Sequence, residues 1–87
     1  MISQQQLATI VRLVEDQGLD SAMISRLRGR YPGVHFTHCL DEEINHIAPV
    51  QERPGFNVYL VDSRRHCLRL TGSFESASGL VLAEVID

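Results

Sequence analysis

A chain of 87 residues with 44% hydrophobic and 22% charged residues suits one globular domain, and its composition excludes wholesale disorder. A formal net charge of −3 gives no general attraction to nucleic acid or to an anionic membrane. A domain this small buries only roughly 60–65% of its unfolded surface, so it gains from a partner, a metal or an oligomer.

Every basic residue is Arg and none is Lys. The planar guanidinium suits carboxylate and phosphate, which admits anion binding, but codon bias in a GC-rich genome explains the same usage and is preferred. The opening Met1-Ile2-Ser3-Gln4-Gln5-Gln6 lacks the basic start and apolar core of a signal peptide. No apolar run approaches the ~20 residues of a membrane span. Two cysteines make no disulfide framework. The expectation is a cytoplasmic protein with neither membrane nor nucleic acid as partner.

In chain order, Ser3 is placed to cap a first helix, with Gln6 completing a capping-box pattern and Ile2 and Leu7 forming a hydrophobic staple. Leu7, Ile10, Val11 and Val14 share one face, and Gly18 ends the helix. Asp20 caps a second helix reaching about Gly29, with Leu19, Met23, Ile24 and Leu27 as its apolar stripe. Arg26, Arg28 and Arg30 then lie where cations meet the helix macrodipole favourably.

The period then changes from helix to strand. Pro32-Gly33 and Pro54-Gly55 each suit the centre of a type II turn, and each precedes a strand pattern. Leu40 to Arg53 is acidic, contains proline and lacks periodicity, so it reads as a long loop with a helical turn near Asp41–His46. Phe56 to Val61 and His66 to Thr71 read as a hairpin in which Val61 faces His66. One face of that hairpin carries Phe56, Val58, Leu60, Cys67 and Arg69. The other carries Asn57, Tyr59, Val61, His66, Leu68 and Leu70. Ser73 to Ser78 is a turn or short helix. Leu80 to Ile86 is nearly all apolar, and Gly79, its β-branched residues and its short length favour a buried strand over a helix.

These elements imply a single α+β domain over residues 1–87: a helical hairpin (1–31) packed on a mainly antiparallel sheet of about four strands (32–87). Both sheet faces are apolar. Helices normally cover one, so the other calls for a partner, a ligand or a second protomer, with homodimerisation the simplest answer. Tyr59, Val61, Leu68 and Leu70 are its candidate interface residues.

All four histidines and both cysteines fall between His35 and Cys67. If Phe36, His38 and Leu40 face the core, His35, Cys39 and His66 share the opposite face, an N/S trio suited to zinc or copper. Asp41, Glu42, Glu43 or His46 could complete it. No CxxC, HxxxH or HExxH spacing accompanies the trio, and buried cysteines with histidines at strand edges explain the same residues. Cys39 with His66, or Cys67 with His38, could pair for nucleophilic catalysis, with Asp41 or Asp62 orienting the histidine. Neither thiol has a helix N-terminus or glycine-rich loop to lower its pKa. Asp41-Glu42-Glu43 reads as a solvated acidic loop, since the calcium-loop pattern is missing. A helix-turn-helix reading fails on charge and on the lack of base-reading side chains in the second helix.

The segments Tyr31-Pro32-Gly33-Val34-His35-Phe36-Thr37-His38-Cys39, Arg53-Pro54-Gly55-Phe56-Asn57-Val58-Tyr59-Leu60-Val61-Asp62 and His66-Cys67-Leu68 resemble a family of small uncharacterised bacterial proteins. The resemblance implies an occurrence in proteobacteria, including nitrogen fixers, and a cytoplasmic accessory role beside metalloenzyme assembly. It brings no catalytic residues. The favoured expectation is a non-enzymatic interaction protein, dimeric through the second sheet face. The alternative is a zinc- or copper-binding protein using His35, Cys39 and His66.

Overall fold

The computed structural model describes residues 2–44, 47–62 and 69–86. Helix α1 spans Gln4–Gln17 and begins where Ser3 Oγ accepts the Gln6 amide at 3.0 Å. It ends at Gly18, whose φ of 92° belongs to the region that glycine enters freely. Helix α2 spans Ser21–Arg30, and Asp20 Oδ1 accepts the Met23 amide at 2.8 Å. Both caps stand where the sequence placed them, because a short side-chain acceptor three residues ahead of a free amide is a local feature. Among the described residues no helix is long and apolar enough to cross a membrane.

Five strands follow: β1 (His35–Leu40), β2 (Gln51–Arg53), β3 (Phe56–Asp62), β4 (Arg69–Thr71) and β5 (Gly79–Glu84). They form a mixed sheet ordered β1-β5-β3-β2, with β4 on β3 as well. Strand β2 pairs with Phe56–Val58, and β4 with Leu60–Asp62. Among the described residues only β1 and β5 run parallel. The segment after Gly79 is thus a strand as far as Glu84, with Val85 and the exposed Ile86 beyond it, and it lies between β1 and β3. Burial on both faces accounts for its near-continuous apolar run.

The α+β architecture holds, with three local differences. The long loop after Leu40 contains β2, whose Gln-Glu-Arg carries no apolar alternation and is recruited by the Pro54-Gly55 turn; Gly55 has φ 87°, as a type II turn requires. Gly33 has no positive φ. The Val34 amide donates to Tyr31 O at 3.0 Å, closing a turn of another type at Pro32-Gly33. Finally, Val61 pairs with Leu70 rather than His66, a shift of four residues along β4. An even shift preserves the faces, so Leu70 still accompanies Val61.

One sheet face packs under the helices. Phe36, Phe56, Val58, Leu60, Leu80 and Leu82 join Leu7, Ile10, Val11, Val14, Met23, Ile24 and Leu27 in the main core. Ile2 is tied to that core, and its amide donates to Phe74 O at 3.2 Å. The opposite face carries a smaller cluster of Tyr59, Val61, Val81 and Ala83, against which Cys39, Ile44, Ile47 and Leu70 pack.

Candidate functional site

The second face has its own cover. After β1 comes a single 3-10 turn at Asp41–Glu43, and beyond it Ile44 and Ile47 pack against the cluster of Tyr59, Val61, Val81 and Ala83. Those two candidate interface residues are only 4% and 2% exposed. Leu70 is half-buried beside them, and Leu68 lies outside the described residues. The cover expected from a partner thus comes in part from the chain itself.

Asp41 fastens the cover. Its Oδ1 accepts the Tyr59 hydroxyl at 2.7 Å and the Asn57 side-chain amide at 3.0 Å. Asn57 and Tyr59 alternate onto this face from β3, so one carboxylate pins the turn to both. Burial, then donation to Asp41, push the Tyr59 hydroxyl up to about 12. The fold holds the protonated phenol, whereas an unfolded tyrosine titrates near pH ~10. Its contribution is complete below that pH and is lost as pH rises through about 12. Tyr59→Phe is expected to cost about 1–2 kcal/mol at neutral pH. It should also flatten the fall in stability above pH ~10, as followed by urea unfolding across that range.

Of the candidate metal ligands His35, Cys39 and His66, only His35 and Cys39 are among the described residues, and these two stand apart. His35 is exposed at the start of β1, and Cys39 is half-buried four residues on. That separation spans about 13 Å along a strand, while zinc needs donors at roughly 2.0–2.3 Å, and side chains stand upright on a sheet. His66, Cys67 and His46 lie outside the described residues. Among the described residues no group of three His, Cys, Asp or Glu is placed to hold a metal ion. The Cys39 thiol is pushed up by burial and then by the carboxylates of Glu43 and Asp41, opposite to what a nucleophile or thiolate ligand needs.

Among the described residues the outer edge of β1 is open. The His35 amide donates to Ser78 O at 3.0 Å, so His35, Thr37 and Cys39 turn their backbone groups toward β5. Phe36, His38 and Leu40 therefore turn theirs away from it. No described strand pairs on that side. Arg28 reaches from α2 to the edge, and its Nη2 donates to Phe36 O at 3.1 Å. Beside it runs a groove of about 360 Å³ lined by Ser21, Ile24, Ser25, Arg28, His35 and His38, among others. His38 Nε2 lies 3.7 Å from Glu84 Oε1.

In the sequence Arg28 reads as a complement to the helix dipole and Asp41 as part of a solvated acidic loop. Only the Asn57/Tyr59 alternation next to an acid following a strand hinted at the clasp. Nothing in the sequence pointed Arg28 at a strand edge.

No curated protein and no solved structure matches this chain. Residues 8–85 match a family of unknown function (DUF6129), and since that span takes in both helices and all five strands almost entirely, this protein belongs to that family.

Proposed function

We propose that this chain is a non-enzymatic interaction protein that receives an extended strand along the open edge of β1. The carrying observation is the outward row of Phe36, His38 and Leu40 beside the α2 groove. An unpaired edge offers a partner main-chain donors and acceptors, and the adjoining groove offers side-chain pockets. The second sheet face is covered in part by Ile44 and Ile47, which favours the edge over the face. The family resemblance suggests accessory work beside metalloenzyme assembly as the setting in which such a partner acts.

A test is to select extended peptides by display against the intact protein and map their binding by chemical shift. The largest shifts are expected at residues 35–40. His38→Pro removes one outward amide at an edge position that tolerates proline, and affinity is expected to fall about tenfold. Shifts remote from β1, or binding indifferent to His38→Pro, would contradict the reading.

A further inference from the structure

Strand β1 has charge of opposite sign at its two ends. Near its start stand Arg28, bonded to the Phe36 carbonyl, and Arg30 at the end of α2. At its other end the chain enters Asp41-Glu42-Glu43. Asp41 is held by Tyr59 and Asn57, whereas Glu42 and Glu43 are exposed. Among the described residues, Arg28, Arg30, Glu42 and Glu43 form no salt bridge. An edge strand basic at one end and acidic at the other is self-complementary when turned end for end.

We infer that the strand received at this edge is β1 of a second copy of the chain, lying antiparallel about a two-fold axis at His38. This rests on the reading of β1 as a receiving edge and names its occupant. Centring on His38 sets Leu40 opposite the partner's Phe36, with His38 facing its own equivalent. All three outward-turned residues then form the hydrogen-bonded class of antiparallel pair. The side chains keep their layers: Phe36, His38 and Leu40 remain on the helix side in both copies. The Asp41–Glu43 turn runs alongside the partner's Arg28, and by symmetry the contact occurs twice.

Arg28 also explains why the edge is selective. A guanidinium across one outward carbonyl discourages strands that bring no negative charge. A second copy brings Glu42 and Glu43 to that point and gives the remaining guanidinium donors carboxylate acceptors. Complementary charge then sets register and orientation, while the main chain supplies the ladder.

The experiment is sedimentation velocity on the full chain over a wide concentration range, with two charge-reversed variants. One carries Arg28→Glu and Arg30→Glu, the other Glu42→Arg and Glu43→Arg. Wild type is expected to dimerise with rising concentration, and its dimer to weaken as salt is added. Each variant alone brings like charges together at both ends, and its dissociation constant is expected to rise at least about tenfold. An equimolar mixture of the two is expected to recover the dimer, because each contact again joins opposite charges. That recovery also establishes that both variants are folded. A wild type that stays monomeric overturns the inference while leaving the edge free for a different partner, a matter settled by the peptide selection. A dimer that ignores both reversals and also survives His38→Pro overturns the inference and the edge reading together.

Discussion

Gly79→Ala is expected to destabilise the protein by at least about 2–3 kcal/mol, and Gly79→Val by more. Gly79 begins β5 directly beside His35, where β1 begins. A Cβ there would stand 2.7 Å from the His35 Cβ and would press on the carbonyl oxygen of the same residue. The obstruction is backbone, which cannot swing aside as a flexible side chain can. Relief requires the start of β1 to leave β5, breaking the bond from the His35 amide to Ser78 O. Gly29→Ala serves as control, since nothing lies within 4 Å of the added methyl and the position is helical. It is expected to stabilise by roughly 0.5–1 kcal/mol. Urea midpoints for the two variants should therefore move in opposite directions. A Gly79→Ala protein as stable as wild type would mean that β1 and β5 do not approach this closely.

Leu82→Ala carries the second large effect, an expected loss of about 2–5 kcal/mol. Leu82 has no exposed surface and sits among Phe36, Val58 and the helix residues, at the middle of the strand between β1 and β3. The cavity would open beneath both helices, where packed neighbours relax only in part. Its neighbour Val81 points to the other face, where it packs with Tyr59, Val61 and Ala83 under Ile44 and Ile47. Val81→Ala is expected to cost less, about 1–2 kcal/mol, because fewer atoms are lost and the thin cover can settle. Thermal or urea unfolding of the pair measures the asymmetry between the two layers. Equal losses would contradict the division into a thick helix-covered core and a thin second layer.

Local features were the most legible in the sequence. Ser3 and Asp20 announced the two helices because a cap acts within three residues. The faces of β3 followed from period two, and the apolar run after Gly79 foretold a strand buried on both sides. Pairing was less legible. Strand β2 consists of Gln, Glu and Arg, and only its partner makes it a strand. The Val61–Leu70 register depends on the length of the connection between β3 and β4, and two strands with apolar residues on both faces allow alternatives four residues apart.

The candidate site was legible in composition more than in geometry. Tyr59 and Val61 were placed correctly on the second face, but the residues covering them come from a stretch without periodicity, where Ile44 and Ile47 gave no pattern. His35 and Cys39 share that face, but four residues along one strand keep them about 13 Å apart. The open edge of β1 depends on sheet order, and parallel pairing with a strand some 40 residues later leaves no local mark. Arg28 at Phe36 O belongs to the same class: a long side chain crossing from helix to edge is a tertiary fact.

The most direct test of β1 as the interaction surface is residue-resolved amide hydrogen exchange, compared between dilute protein and protein saturated with a bound strand, whether peptide or second copy. An alternating signature is expected. The amides of Phe36, His38 and Leu40 slow on binding, while those of His35, Thr37 and Cys39, already turned toward β5, change little. Slowing centred on the Tyr59–Val61 face, with Phe36, His38 and Leu40 unchanged, would contradict it.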